Sequence, residues 1–238
     1  MIESIHNPKV KLLVKLKNKK DIESNNLFIV EGQYLVEEAI KNNYIKEIFL
    51  LDKEDNIYGE VTYVTKDILK KITNLTNPPK VIALCYLLKA KEIKGNVLIL
   101  DNIKDPGNLG TIIRSAVAFN YDTIIISKES VSLYNPKVIR ATEGMLFNIN
   151  IITNDLIPYI NKLKKDNYFI YGTDVKEGVL PESESKNKHA LIIGSEATGI
   201  NKKILELCNK KLYINMNDKC ESLNASISAS ILMYELNK

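Results

Sequence analysis

Residues 97–119 constrain this chain more than any other stretch. They read V-L-I-L, then D-N-I-K-D-P-G-N-L-G, then T-I-I-R-S-A-V-A-F. Four consecutive apolar residues predict a buried strand, and a loop rich in Asp, Asn, Pro and Gly turns directly into an amphipathic helix. Asn108 is the expected N-cap, with Arg114 in the second turn. Open α/β sheets place their chemistry where strand ends feed helix starts. The alternation then continues, with strands expected at 97–100, 123–126, 149–152, 168–172, 190–193 and 211–214. Helices are expected at about 109–119, 136–143, 155–165, 200–208 and 222–236. This pattern predicts a mainly parallel sheet covered on both faces.

The N-terminal part reads as a smaller α/β module. Asn7-Pro8 opens a helix whose Val10, Leu13 and Leu16 bury one side and leave its lysines on the other. L-F-I-V (27–30), a helix over Gln33–Asn42, strands at Glu47–Leu51 and Val61–Val64, a short helix after Thr65 and the apolar run Val81–Leu88 follow. The charged segment Lys89–Gly95 is the expected linker, giving domains at 1–90 and 95–238. Residues 177–188 are polar and breaker-rich and read as a mobile loop.

Composition excludes several classes. No window approaches the roughly 18 apolar residues of a membrane span, and the start lacks the apolar run of a signal peptide. Cys85, Cys208 and Cys220 are odd in number, far apart and without a C-x-x-C pair, so no disulfide framework or metal site is expected and the chain reads as a reduced cytoplasmic protein. His6 and His189 are too isolated for a zinc or triad reading and suit surface and strand-start roles. The net charge is +4, yet residues 1–20 carry Lys9, Lys11, Lys15, Lys17, Lys19 and Lys20 against Glu3 alone. A local basic arm of this kind suits phosphate binding, and equally reads as a solvated helix face.

Of the 33 basic residues only Arg114 and Arg140 are arginine. A retained arginine in a lysine-rich chain suggests a site needing a planar, bidentate cation. It also reads as a helix-surface residue whose stem covers apolar neighbours. Three loops carry the remaining signals. D-P-G-N-L-G (105–110) makes a tight turn but is no P-loop, since no G-K-[ST] follows. G-S-E-A-T-G (194–199) follows a buried strand, and its Glu196 suits a ligand amine or hydroxyl, or the positive end of the next helix. I-N-M-N-D-K-C-E-S-L-N-A-S (214–226) enters a helix expected near Ser222, whose Ala225, Ser226, Ser228, Ala229 and Ser230 suit close packing against a neighbour or a partner subunit.

Taken in order, D-P-x-N-x-G-x-x-x-R, G-x-E-x-x-G and I-x-M-x(5)-S-L-N-x-S resemble the three motifs of the SpoU/TrmH family of RNA ribose 2′-O-methyltransferases, within the SPOUT class. The resemblance covers the whole chain, including F-I-V-E-G (28–32) in the N-terminal module. It implies a C-terminal trefoil-knotted methyltransferase domain behind a small α/β substrate-binding domain, a homodimer, S-adenosylmethionine as methyl donor and structured RNA as substrate, with rRNA favoured over tRNA and no metal. Carried over by motif position, Thr173, Gly194, Ile214, Met216 and Leu223 would line the cofactor pocket. Arg114 would be the catalytic arginine, with Asn108, Glu196, Ser222 and Asn224 orienting it or the substrate, and Arg140 would hold RNA or brace the site. A guanidinium is not deprotonated in proteins, so an electrostatic anchor suits Arg114 better than a general base. Two departures stand out. Asn215 and Asp218 replace the proline and glycine usual in the third motif, and Ala225 replaces a frequent valine.

Overall fold

A computed structural model describes residues 1–174, 178–181 and 188–237. In chain order its elements are α1 (Pro8–Lys15), α2 (Lys19–Asn25), β1 (Leu27–Glu31), α3 (Gln33–Lys41), β2 (Ile45–Leu51), β3 (Thr62–Val64), α4 (Lys66–Ile72) and β4 (Val81–Tyr86). There follow β5 (Asn96–Leu100), α5 (Pro106–Ala118), β6 (Tyr121–Ile126), α6 (Pro136–Ala141), β7 (Asn150–Thr153), α7 (Leu156–Lys165), β8 (Phe169–Thr173), β9 (His189–Ile193), α8 (Lys202–Leu205), β10 (Lys210–Leu212) and α9 (Ala225–Leu236).

These divide into two units: Met1–Leu88 with Ser132–Phe147, and Lys89–Val131 with Asn148–Lys238. A single boundary between 90 and 95 therefore misses one segment. Residues 132–147 return to the first unit because their apolar side chains are buried there. Leu133, Val138, Ile139, Leu146 and Phe147 are all core residues. The Phe147 ring lies 6.2 Å from Phe28 and 5.4 Å from Tyr44, centroid to centroid.

In the first unit four strands run in the order β1-β4-β2-β3. The strand β4 is antiparallel to both its neighbours, and β2 and β3 are parallel. Asn7 caps α1 by accepting the Lys9 N–H at 2.9 Å, with Pro8 in the first turn, as expected for an Asn-Pro start. The helix α2 has a single buried apolar residue, Ile22, and no apolar periodicity announces it.

The second unit is an all-parallel sheet in the order β10-β8-β9-β5-β6-β7. Val97–Leu100 are fully buried. On one face Val97, Ile99, Ile125, Ile170 and Ile192 pack with Leu156, Ile160 and Leu163 of α7 and Ile204 of α8. The helices α5 and α9 pack on each other, and they also meet β6 and β9 respectively. From β5 the chain proceeds outward through β6 and β7, then restarts beyond β9, so the strand order reverses between β5 and β9. Open α/β sheets bind ligands at such a reversal, outside the carboxyl ends of the strands.

Several expected boundaries move. The helix α5 begins at Pro106, because Asp105 caps it by accepting the Asn108 N–H at 2.8 Å. Asn108 is therefore inside the first turn and Arg114 in the third. The helix α9 begins at Ala225, capped by Asn224, which leaves Ser222 in the preceding loop. The helix α8 has only four residues. His189 starts β9 but is buried, with its Nε2 2.8 Å from the Tyr121 hydroxyl. The loop expected at 177–188 lies mostly outside the described residues, although Val179 bridges Leu212. Among the described residues no helix is long and apolar enough to cross a membrane, and no His, Cys, Asp or Glu cluster could hold a metal ion.

Candidate active site

The three motif loops meet in the second unit through one chain of side-chain hydrogen bonds. Asn108, buried on α5, donates from Nδ2 to Glu196 Oε1. Its Oδ1 accepts from Asn224 Nδ2 at 2.9 Å. Asn224 in turn caps α9, its Oδ1 accepting the Ser226 N–H at 2.9 Å and the Ser226 hydroxyl at 2.6 Å. One amide thus ties the first motif to the second and third, and its two different partners fix which way it points. Farther along the same helix pair, Ser230 Oγ lies 2.9 Å from Ser115 Oγ on α5. Ser230 therefore serves the packing of α5 against α9 within the chain, while Ala225 and Ser228 line a cavity in the same unit. The outer row of α9 remains exposed, with Ile227 at 51% and Tyr234 at 52%.

Residues 194–199 form a closed turn. Ser195 and Gly199 exchange backbone hydrogen bonds at 3.2 and 2.9 Å, and Ser195 Oγ lies 2.9 Å from Thr198 Oγ1. A Cβ on Gly194 would stand 2.2 Å from the Gly199 carbonyl carbon and 2.3 Å from the Ile200 nitrogen, so the return of the chain requires glycine there. Asp101, at the carboxyl end of β5, fastens the far side of this turn. Its Oδ2 accepts the Asn201 N–H at 2.8 Å, and its own N–H donates to the Ile193 carbonyl at 2.9 Å. Burial raises the Asp101 carboxyl above the usual carboxylate range, with the Asn201 hydrogen bond opposing that shift and the charge of Glu129 adding to it. Asp101 was not among the expected site residues. Its signal is an acid placed directly after a four-residue buried strand.

Beside the turn lies a cavity of about 470 Å³. Thr173, Gly194, Ile214, Met216 and Leu223 all line it, together with Glu196 and Ser222. Its apolar walls come from Ile193, Ile200, Leu205, Leu212 and Leu232. The backbone N–H groups of Ile214, Met216 and Leu223 donate to no protein acceptor among the described residues. Asp174 also borders the cavity, 3.7 Å from Lys211 Nζ. Asn108 and Asn224 join this site through Glu196 rather than by lining it. Arg114 is not brought to it: the side chain is exposed, and no hydrogen bond or ion pair holds it among the described residues.

The basic residues of the first unit separate into two groups. Lys11, Lys15 and Lys20 are exposed and make no ion pair among the described residues, and Lys19 lies 3.8 Å from Glu23. Lys9 and Lys17 are engaged within the unit, Lys9 with Glu47 at 2.6 Å and Lys17 with the Lys71 carbonyl at 3.2 Å and Asn74 Oδ1 at 2.9 Å. Arg140 on α6 pairs with Glu31 of β1 at 3.1 Å, the acid of F-I-V-E-G.

The second unit thus joins a parallel sheet, a glycine-closed turn, an apolar-walled cavity and a bonded Glu196–Asn108–Asn224 set. The SpoU rRNA Methylase family profile matches residues 95–234, and an MRM3-like substrate binding domain profile matches residues 7–83. The chain belongs to the SpoU rRNA methylase family. It is 35% identical over 246 residues to the 23S rRNA (guanosine(2553)-2′-O)-methyltransferase RlmP of Bacillus subtilis, covering 99% of this chain and 98% of that protein. Among solved structures it resembles an RNA 2′-O ribose methyltransferase at TM-score 0.82 and 26% identity, covering 99% and 97% of the two chains. It also resembles an rRNA methyltransferase from Sinorhizobium meliloti at TM-score 0.89 and 25% identity, covering 99% and 96%. The AdoMet-bound crystal structure from that organism shares the fold at TM-score 0.87 and 24% identity, covering 99% and 96%.

Proposed function

We infer that this protein is an RNA methyltransferase that transfers a methyl group from S-adenosylmethionine to a ribose 2′-hydroxyl of rRNA. The observation that carries the reading is the single hydrogen-bonded chain Glu196–Asn108–Asn224, which joins all three motif loops beside one cavity. The cavity suits the cofactor: its apolar walls fit an adenine and a thioether chain, and unpartnered backbone N–H groups supply the few polar contacts such ligands need. Thr173, Gly194, Ile214, Met216 and Leu223 would hold it. When bound, it supplies an electrophilic sulfonium methyl group.

The chain's own residues then have two tasks, to position a ribose and to make its hydroxyl nucleophilic. Asn108 and Asn224 hold Glu196 in place at the cavity, and Ser222 adds a hydroxyl on the same wall. Arg114, exposed and outside the cavity of its own chain, serves the cavity of a second copy, where it binds the phosphate next to the target ribose and stabilises the developing alkoxide, while that phosphate or water takes the proton. The exposed lysines of α1 and α2 hold the RNA, so the first unit acts as the substrate-binding part and the second as the methyltransferase, in a cytoplasmic protein. Two further features belong to this reading. The C-terminal segment threads as a trefoil knot, a topology supported by the return of β10 and α9 onto β8 and α5. The protein acts as a homodimer joined through the outer row of α9, since Ile227 and Tyr234 stay exposed after α9 has packed on α5.

Labelled S-adenosylmethionine and large-subunit rRNA test the chemistry. A 2′-O-methyl group blocks alkaline cleavage at its nucleotide, so label is expected in alkali-stable dinucleotides, first at the guanosine for which the Bacillus subtilis relative is named. Label in a base-methylated nucleoside would overturn the reading. Replacing Arg114 by Lys keeps the charge and removes the fork. Turnover is expected to fall about 10²-fold, the typical effect of losing a preorganised donor at a developing oxyanion, with cofactor binding unchanged.

A further inference from the structure

The first unit is electrically two-sided. Residues 8–25 and 66–72, which contain α1, α2 and α4, hold nine lysines against three acids. The remainder of the unit holds six basic residues against ten acids. Fifty residues separate α1 from α4 in sequence, yet the two helices pack together. Lys17 locks their C-terminal ends, its Nζ donating to the Lys71 carbonyl, to Asn74 Oδ1 and, at 3.5 Å, to the Thr73 carbonyl.

Each of the two packed helices carries a row of lysines. Lys11 and Lys15 are one helical turn apart on α1, and Lys66 and Lys70 one turn apart on α4. All four are exposed, and none forms an ion pair among the described residues. Lys71 flanks them, exposed and likewise unpaired. Like charges at this spacing destabilise a helix unless an anion lies between them. The exposed residues of the two helices include no aromatic side chain on which a base could stack. A surface of lysines without aromatics binds the phosphate backbone and carries no sequence information.

We propose that α4, through Lys66, Lys70 and Lys71, completes a docking face with Lys11 and Lys15 that grips the phosphate backbone of the RNA independently of its sequence. The proposal rests on RNA being the substrate, and it assigns to RNA three lysines that no sequence motif marks.

The test compares full-length protein with Lys66→Glu/Lys70→Glu, the neutral pair Lys66→Gln/Lys70→Gln, and a control reversal, Lys46→Glu/Lys53→Glu, on the same unit. Binding of an in vitro transcribed large-subunit rRNA domain and of an unrelated RNA of equal length is followed across a salt series. The α4 reversal is expected to weaken both RNAs at least tenfold. The salt slope should fall by about 2, as expected when two phosphate contacts are lost. The neutral pair should show a smaller loss in the same direction, the control less than twofold, and S-adenosylmethionine binding should not change in any variant. Wild-type affinity in the α4 variants, an equal loss in the control, or no RNA binding by the wild type would each overturn the proposal, and so would a loss confined to the rRNA. Methyl-transfer products separate this from the reaction assigned above. Label at base positions with the α4 effect intact would remove the 2′-O chemistry and leave the docking face standing.

Discussion

Asn108 shows how much one side chain can determine. Its amide spends a donor on Glu196 and an acceptor on Asn224, so it sets the register of three loops that are distant in sequence. Asp101 does comparable work with a charge, and that makes it sensitive to pH. Its carboxyl is raised by burial, although the Asn201 N–H holds it back in part. For an acid raised in the folded state, the associated stability is fully present below the unfolded carboxylate value and is lost as pH rises through the folded one. Ionisation as pH rises therefore leaves a largely buried charge that the fold must tolerate. The Asp101→Asn variant keeps an oxygen for the Asn201 N–H and removes the ionisation. Its Tm should exceed that of the wild type at pH 7, and the difference should close as pH falls toward the carboxylate range. Thermal melts over that range check this, and a pH-independent difference would contradict it.

At the scale of the element, the turn 194–199 is the most tightly specified piece of the molecule. Its entry glycine sits against backbone atoms, which cannot move aside as a side-chain tip can. Gly194→Ala should therefore open the turn, displacing Glu196 from Asn108 and distorting the cavity wall. Cofactor affinity measured by calorimetry is expected to drop by at least tenfold, while the chain remains folded by circular dichroism. The fold-back of 194–199 was legible in the sequence because glycine stands at both ends of the loop, whereas the grouping of Gly194 with Thr173, Ile214, Met216 and Leu223 came from the resemblance to the SpoU/TrmH motifs. The strands of the parallel sheet were legible because runs such as Val97–Leu100 are apolar throughout. The start of α5 was misplaced by three residues because Asn108 looks like a cap, although Asp105 followed by Pro106 is the stronger start pair. The helix α2 gave no signal, since one buried isoleucine makes no period. Lys9 and Lys17 read in the sequence as members of a basic arm, and Arg140 as a residue that holds RNA or braces the site. Only the fold reveals Glu47, the end of α4 and Glu31 beside them.

The whole molecule is built from two units whose boundary is not a single point on the chain. Ser132–Phe147 leaves the second unit after Val131, joins the first and returns at Asn148. Local sequence could not reveal this, because N-P-K-V-I-R-A reads as an ordinary helix wherever it packs, and its partners lie about a hundred residues upstream. Its attachment is substantial. Val138 and Ile139 of α6 are buried and α6 packs on β1, Arg140 pairs with Glu31, and Phe147 stacks near Phe28 and Tyr44. Burying such side chains is worth about 1.5–3 kcal/mol each relative to exposure, so the segment's five core residues are a large fraction of a typical domain's stability. A fragment of residues 95–238 should therefore display Leu133, Val138, Ile139, Leu146 and Phe147 to water and aggregate. The same fragment with 132–147 replaced by a short Gly/Ser linker should stay monodisperse in light scattering and retain S-adenosylmethionine binding, because every residue lining the cavity lies outside the excised segment. Equal aggregation of both fragments would mean that the second unit needs the first for reasons other than this segment.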